Sequence, residues 1–294
     1  MKLLIGSAIA GAVVGLGAAW YLRGPGPLDF TGGKTVALAD YKEDDPTGVP
    51  AAMRQVDMLE RGKYLAEAAD CVVCHTAPGG KAFAGGFPFK LPFGTMYSTN
   101  ITPDPETGIG KYTDQQFIDA MHRGIRRDGQ RLYPAMPYTS YSYVTDADAL
   151  AIKAYLFSLA PVRVTPPENA LLFPFNQRWV MMFWSLIFNR DTRFEPDTSQ
   201  SAKWNRGAYL AEALAHCGEC HTPRNIGFAL DNRQKFGGAP VDGWRAFNIS
   251  SDKATGLGGW SDQDIAFYLS AGHASGHGTA SGPMGEAVDH SFST

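Results

Sequence analysis

Two short segments contain all four cysteines of the sequence and follow one pattern. CVVCH (71–75) is a C-x-x-C-H pentad, and CGECH (217–221) repeats it. Two thiols on one helical turn can each bond to a vinyl group of a porphyrin, and the adjacent imidazole can then ligate its iron. The pentads therefore predict two covalently attached c-type haems. The predicted attachment residues are Cys71, Cys74, Cys217 and Cys220, and the predicted proximal ligands are His75 and His221.

Two other uses of paired cysteines compete with haem attachment. A C-x-x-C pair can act as a redox dithiol, and two such pairs can form a structural zinc site. The sequence around the pentads lacks the βαβ pattern of dithiol proteins, and that interpretation gives the neighbouring histidines no role. Zinc knuckles place their cysteine pairs much closer in sequence than positions 71 and 217. Haem attachment is therefore the favoured interpretation.

Length and composition indicate a folded protein with more than one domain. At 294 residues the chain is long for a single hydrophobic core, so two domains are expected. Hydrophobic residues make up 44% and charged residues 19%, as in globular rather than disordered chains. The formal net charge of -3 provides no basic excess for binding nucleic acid, so no nucleic-acid partner is predicted.

An apolar segment without charge or proline, Leu3–Leu22, lies at the start of the chain. Twenty helical residues span about 30 Å, which is enough to cross the hydrocarbon layer of a membrane. Small residues at 17–19 leave a cleaved signal peptide open, but the apolar run continues through Trp20 and Tyr21. We expect residues 1–23 to form a retained membrane anchor, followed by a linker over 24–57 that starts with GPGP.

The remaining sequence contains one pattern twice, in a first repeat (58–160) and a second repeat (204–294). RGKYLAEA (61–68) recurs as RGAYLAEA (206–213), and from Asn100 onwards one constant offset aligns much of the two copies. The first repeat predicts helices that end at the pentad and that cover Asp114–Arg123 and Asp146–Ser158, with Thr113 and Thr145 as N-caps. Repeated units of this length indicate two copies of one domain, each mainly α.

The second repeat and the segment between the repeats (161–203) both raise questions. The helix predicted at Asp146–Ser158 would recur beyond residue 294, so we expect a second domain that lacks its last helix and a truncated sequence. The segment between the repeats contains LLFPF (171–175) and the apolar run Arg178–Arg190. It can pack between the domains, lie on a membrane interface, or dock a partner subunit.

A haem with a proximal histidine needs a second axial ligand if its iron is to be closed to substrate. Met136 lies between two prolines, and Met284 occupies the matching place in the second repeat, each about sixty residues after its proximal histidine. A methionine thioether is a soft ligand that raises the haem potential. We therefore predict Met136 and Met284 as the sixth ligands. Rival candidates are Met96, Met121 and His122 in the first repeat and His273 and His277 in the second.

No motif for other catalysis accompanies the pentads. The glycine runs fail the G-x-G-x-x-G dinucleotide pattern, and H-E-x-x-H, G-x-S-x-G and Walker motifs do not occur. Two closed haems then favour an electron carrier without a substrate-oxidising site of its own. A dihaem peroxidase, which must leave one iron open, and a cytochrome subunit of a terminal oxidase stay open as alternatives.

Four runs give the sequence a specific resemblance. They are CVVCHTAPGG (71–80), YSTNITPD (97–104), YPAMP (133–137) and HCGECHTPRN (216–225). In these runs the sequence resembles the cytochrome c subunits of bacterial membrane-bound alcohol, gluconate, sorbitol and aldehyde dehydrogenases, over nearly everything from about residue 58 onwards. Members of this family usually carry a third haem domain, whereas this sequence has no third pentad.

The resemblance carries implications for fold, partner and location. It implies two tandem class I-like cytochrome c domains after a single N-terminal transmembrane helix. It implies a periplasmic dehydrogenase partner of the quinoprotein, flavoprotein or molybdenum type. It further implies electron delivery to ubiquinone or a terminal oxidase, and a position on the periplasmic side of the cytoplasmic membrane.

Overall fold

Helices joined by short antiparallel strands make up most of the regular structure. The computed structural model describes residues 2–29 and 32–293, with backbone alone for residues 2–11. The helices are α1 (Lys2–Arg23), α2 (Met58–Ala68), α3 (Cys71–Cys74), α4 (Asp114–Arg123), α5 (Tyr138–Tyr141), α6 (Asp146–Ser158), α7 (Val180–Phe188), α8 (Ala202–Ala208), α9 (Gly218–His221), α10 (Asp262–Ala271) and α11 (Pro283–Ala287). Two π-helical turns cover Tyr209–Leu214 and Val288–Phe292. Short 3-10 turns cover Leu38–Asp40, Ala51–Met53 and Asn232–Gln234.

The strands form three small antiparallel sheets. They are β1 (Pro88–Leu91), β2 (Gly94–Tyr97), β3 (Ala170–Leu171), β4 (Ala239–Val241), β5 (Trp244–Ala246), β6 (His273–Ala274) and β7 (Gly278–Thr279). The first sheet has the order β1-β2-β3, while β4 pairs with β5 and β6 pairs with β7. Since β3 follows α6 in the chain, its pairing with β2 returns the segment after the first repeat to that repeat.

The two helices predicted for the first repeat are confirmed with their caps. Thr113 and Gln116 form a reciprocal capping box at the start of α4, and Thr145 Oγ1 accepts a hydrogen bond from the Asp148 amide at the start of α6. The α4 helix ends at Gly124, whose φ of 60° is a left-handed conformation that glycine adopts without a Cβ penalty. Local sequence therefore sets both helix boundaries.

The core of the first repeat lies where α2 crosses α6. Leu65 on α2 and Ile152 on α6 are fully buried there, and aromatic side chains close the core around them. At the crossing point Gly62 lets the two backbones approach, because a Cβ at this position would lie 2.0 Å from the carbonyl oxygen of Ala151. This crossing fixes the helix that leads into the first pentad.

The second repeat reproduces the first up to its last helix. Ser261 and Asp264 form a capping box on α10, and Gly272 ends the helix in the left-handed conformation, as Gly124 does for α4. Among residues 32–293 no helix of the second repeat takes the place that α6 has in the first. Gly207 is the counterpart of Gly62. A Cβ added at Gly207 would have no atom of another described element within 4 Å.

The segment between the repeats packs on both of them through one helix face. Ser185 of α7 is buried and forms a hydrogen bond with the hydroxyl of Tyr138, at 3.0 Å. Trp184 Nε1 donates to the carbonyl oxygen of Gly227 in the second repeat, at 2.7 Å. Packing between the domains is thus the outcome for this face of α7, while the opposite face is exposed.

The N-terminal segment forms helix α1 over Lys2–Arg23. Within the part of the chain that the structure describes, none of the helices has both the length and the apolar character needed to cross a membrane. The predicted anchor over residues 1–23 therefore gains no support from the fold. Met1 and the side chains of residues 2–11, which make up the first half of that predicted anchor, lie outside the described residues.

Candidate haem sites

The first pentad forms a single helical turn with its histidine at the end. Asp70 precedes it in the left-handed conformation, with φ of 55°, which turns the chain from α2 into α3. The His75 amide donates to the carbonyl oxygen of Cys71 at 3.1 Å, so both cysteines and the histidine share this turn. The His75 Nδ1 donates to the carbonyl oxygen of Thr99 at 2.7 Å. This bond fixes the tautomer and leaves Nε2 free to ligate a metal.

The second pentad has the same arrangement. His216 precedes it with φ of 39°, and the His221 amide donates to the carbonyl oxygen of Cys217 at 3.0 Å. The His221 Nδ1 donates to the carbonyl oxygen of Phe247, again at 2.7 Å. Thr99 and Phe247 occupy matching positions of the two repeats, immediately before Asn100 and Asn248. Both sites therefore orient a proximal histidine in one way.

Burial sets the protonation of the predicted ligands. Desolvation lowers the pKa of both His75 and His221, which keeps each imidazole in the neutral form that binds a metal. Desolvation also raises the pKa of Cys71 and Cys217 to about 12. A redox dithiol requires a thiolate, so this environment disfavours the dithiol alternative.

One glycine beside each proximal histidine completes the arrangement. The Gly85 amide donates to the carbonyl oxygen of His75 at 2.7 Å, and the Gly238 amide donates to that of His221 at 2.8 Å. Both glycines have positive φ, and a Cβ on Gly85 would lie 2.4 Å from the Thr99 backbone. The sequence pattern does not identify these glycines, since they lie at different distances from their pentads. It also does not identify Thr99 and Phe247, because they act through backbone carbonyls and their side chains differ.

The predicted sixth ligands lie in different local structures. Met136 is in the loop between α4 and α5, half-buried against the core of the first repeat, and its amide donates to the Tyr133 carbonyl oxygen at 3.1 Å. Met284 is half-buried in the first turn of α11, directly after Pro283. Both assignments stay predictions.

The five rival ligands differ in burial and in the contacts of their side chains. They are Met96, Met121, His122, His273 and His277. Met121 is buried in the core of the first repeat, and Met96 is buried in β2 opposite Phe89. His277 is half-buried and stacks on Trp260 with ring centroids 3.9 Å apart, whereas His273 is exposed. His122 is fully buried, and neither ring nitrogen has a hydrogen-bond partner among the described residues.

Helix α5 connects the segments that lead into the two pentads. The Tyr141 hydroxyl donates to the carbonyl oxygen of Ala69 at 2.6 Å, two residues before Cys71. The ring of Tyr141 lies 5.3 Å from that of His216, the residue before Cys217. The segments that lead into the two pentads therefore both contact one tyrosine side chain. Over the described residues, no group of three or more His, Cys, Asp and Glu side chains is placed to hold a metal ion.

Comparison with known proteins assigns this arrangement to a family. A family model for cytochrome c matches residues 59–160. A dihaem c-type cytochrome of Cereibacter sphaeroides is 37% identical over 236 residues, which cover 78% of both chains. This chain belongs to the cytochrome c family. Membership implies covalent haem c in this cytochrome, as the pentads predict.

Other relatives of the cytochrome are named as subunits of dehydrogenases, as the resemblance predicted. The fructose dehydrogenase cytochrome subunit of Gluconobacter japonicus is 43% identical over 271 residues, 90% of this chain and 56% of that protein. One of the nicotinate dehydrogenase subunits of Pseudomonas putida is 50% identical over 234 residues, 79% of this chain and 20% of that protein. The cytochrome thus spans about half of the first of these relatives and a fifth of the second.

Proposed function

We propose that this cytochrome is a dihaem electron-transfer subunit of a dehydrogenase complex. The observation that carries the proposal is the matched pair of histidines, each with Nδ1 bonded to a backbone carbonyl, in pentads whose preceding segments both contact Tyr141. Two sites of one design in such proximity suit passage of electrons from one to the other. The dihaem relative supports the count of two haems.

The residues present at each pentad fit covalent haem c. Cys71 and Cys74, like their counterparts in the second repeat, would hold the porphyrin edge, and the free Nε2 of each proximal histidine would ligate the iron. When bound, haem supplies reversible one-electron chemistry at its iron. The carbonyl acceptors on Nδ1 hold each imidazole in one orientation, while desolvation keeps it neutral. Met136 and Met284 would close the opposite face.

The names of the relatives support a dehydrogenase partner, while its type and the electron acceptor are what the resemblance in the four sequence runs implies. Relatives of this chain are named as subunits of fructose, gluconate, alcohol and nicotinate dehydrogenases. We infer a partner subunit of the quinoprotein, flavoprotein or molybdenum type that oxidises the substrate. Electrons then leave this cytochrome for ubiquinone or a terminal oxidase. We place it on the periplasmic side of the cytoplasmic membrane with α1 as anchor, supported by the run Leu3–Leu22 without charge or proline.

Haem counting in paired variants tests the proposal. A pyridine haemochrome assay is expected to give two haems per wild-type chain, and one haem after Cys71→Ser with Cys74→Ser or after Cys217→Ser with Cys220→Ser. Purification from the native membrane in mild detergent is expected to retain a dehydrogenase subunit. A haem count other than two refutes the dihaem assignment. A high-spin haem that binds cyanide rapidly would favour the peroxidase alternative, and co-purification with copper and haem b would favour the oxidase subunit.

A further inference from the structure

Helix α7 has an arrangement opposite to that of an ordinary surface helix. Its polar residue Ser185 is buried, whereas Trp179, Met182, Phe183 and Leu186 are exposed. These four positions follow the spacing i, i+3, i+4, i+7, so they form one stripe on the helix. Leu186 alone is 78% exposed. An exposed stripe made only of apolar side chains is typical of a surface that binds a membrane or another protein.

The loop before α7 also exposes apolar side chains. Leu172 and Phe173 are 66% and 79% exposed, and Ile226 of the second repeat is 86% exposed. Apolar exposure therefore continues from α7 into the loop before it. We call Leu172, Phe173, Trp179, Met182, Phe183 and Leu186 the apolar surface.

The C-terminal end of α1 is held against the second repeat and the end of α7. Asn225 Nδ2 donates to the carbonyl oxygen of Leu22 at 2.9 Å, one residue before Ile226 in the second repeat. Arg190, two residues after α7, donates to the carbonyl oxygen of Gly24 at 2.7 Å. Helices α1 and α7 are also in contact. The apolar N-terminal helix therefore adjoins the helix that carries the apolar surface.

Three arginines lie around the end of α1, of which Arg233 pairs with Asp231 at 3.1 Å and Arg190 lies 3.9 Å from Asp29. The guanidinium of Arg233 lies over the Tyr21 ring, 4.5 Å from its centroid, and donates to the Tyr21 carbonyl oxygen. Arg23 ends α1, and Arg190 follows α7. Aromatic side chains next to arginines are typical of protein at the boundary between acyl chains and anionic headgroups.

We propose that the apolar surface lies at the boundary between the headgroups and the acyl chains of an anionic lipid bilayer, with α7 parallel to the membrane plane. Lipid is the occupant rather than a protein partner because α7 contacts α1, the segment proposed as the anchor. The inference deepens the proposed membrane location and rests on it for the choice of membrane. It adds a second contact, through the segment between the repeats.

Photolabelling of the full-length haem-loaded protein tests this surface. The protein is reconstituted into vesicles of phosphatidylcholine and phosphatidylglycerol at about 3:1 by moles, with a trace of phosphatidylcholine carrying a diazirine on its acyl chain. Peptide mass mapping after illumination is expected to find label in 172–188 and in α1. Met182→Glu with Leu186→Glu is expected to reduce the label in 172–188 about tenfold, because charged side chains leave the acyl region. The matched control is Met58→Glu with Leu59→Glu, an exposed Met-Leu pair on α2, which is expected to leave the label unchanged.

The outcomes separate this proposal from the proposed anchor. Label in α1 but not in 172–188 overturns the lipid contact and leaves the anchor intact. Label in 172–188 without label in α1 supports the lipid contact and refutes the anchor. Equal labelling of 172–188 in the wild type and the Met182-Leu186 pair overturns the proposal. Cross-linking of residues 179–186 to a dehydrogenase subunit in native membranes, with no lipid label there, also overturns it and assigns the surface to a protein.

Discussion

Gly62 and Gly207 occupy the same place in the two repeats but have opposite surroundings. A Cβ on Gly62 would lie 2.0 Å from the Ala151 carbonyl oxygen on α6, and this obstacle is backbone that cannot rotate away. Overpacking of this kind costs about 3 kcal/mol. Alanine recovers about 1 kcal/mol of helix propensity relative to glycine. Gly62→Ala should therefore reduce the free energy of unfolding of the first repeat by about 2 kcal/mol.

Gly207→Ala is the matched variant, and its expected effect has the opposite sign. None of the residues with described side chains comes within 4 Å of the added methyl group. The propensity gain of about 1 kcal/mol then remains without a steric cost. The second repeat should become slightly more stable, although the substitution and the flanking sequence are nearly the same as at Gly62.

Hydrogen exchange with mass spectrometry resolves the two repeats in one experiment. Peptides from α2 and α6 should exchange roughly thirtyfold faster in Gly62→Ala, since 1.4 kcal/mol corresponds to about tenfold in an equilibrium constant. Peptides from α8 should exchange several-fold more slowly in Gly207→Ala. Equal acceleration in both variants would refute the reasoning, because it would mean that α8 packs against a helix as closely as α2 does.

Three further predictions concern the ligands, the contact between repeats and pH. Met136→Ala and Met284→Ala should each lower the potential of one haem and make it bind cyanide, whereas Met96→Leu should leave the optical spectrum unchanged; unchanged spectra in the first two variants would exclude them as ligands. Asp148→Ala should lower the free energy of unfolding by about 3 kcal/mol in guanidinium titrations, because it removes a fully buried carboxylate from its arginine partner, and a loss below about 1 kcal/mol would contradict this. Burial lowers the pKa of His122 from 6.5 to about 4, so the unfolded state binds more protons than the folded state between these pH values. The free energy of unfolding should therefore fall by at most about 3 kcal/mol as the pH decreases from 6.5 to 4. The difference between wild type and His122→Gln across this range isolates the contribution, and a constant difference would contradict it.

The sequence predicted the parts of the fold that local residues determine. Both ends of α4 and α6 were predicted at the residues where the structure has them, because Thr113 and Thr145 cap the N-termini and Gly124 ends α4. The repeated pentad predicted the helical turns at both candidate sites. These features depend on residues within a few positions of one another, which a single sequence displays directly.

Long-range contacts were not predictable in the same way. Thr99 and Phe247 act through backbone carbonyls, so their residue types carry no information about the bond to the proximal histidine. The contact of Tyr141 with the segments before both pentads depends on how the repeats pack. An alignment of the two repeats carries no information about that packing. For the segment that contains α7, three interpretations stayed open: packing between the domains, a position on a membrane interface, and docking of a partner subunit. Composition alone does not show which face of the helix contacts the protein.

Helix α6 of the first repeat carries a direct contact between the two repeats. Asp148 in its first turn is fully buried and accepts hydrogen bonds from Arg61 of α2 at 2.6 Å and from the Gly48 amide at 2.8 Å. Its other donor is the hydroxyl of Tyr209 in the second repeat, at 2.6 Å. The same hydroxyl accepts a hydrogen bond from the Thr145 amide, which is one of the amides that a helix start leaves without an internal partner.

Helix α6 of the first repeat therefore contacts the second repeat through the Tyr209 side chain. Tyr209 is fully buried at this contact, whereas Tyr64, its counterpart in the first repeat, is only partly buried. Because Tyr209 lies in the segment that leads into the second pentad, the contact fixes that segment relative to α2 and the first pentad. Loss of this contact should consequently loosen the segment that leads into the second pentad relative to α2 and the first pentad.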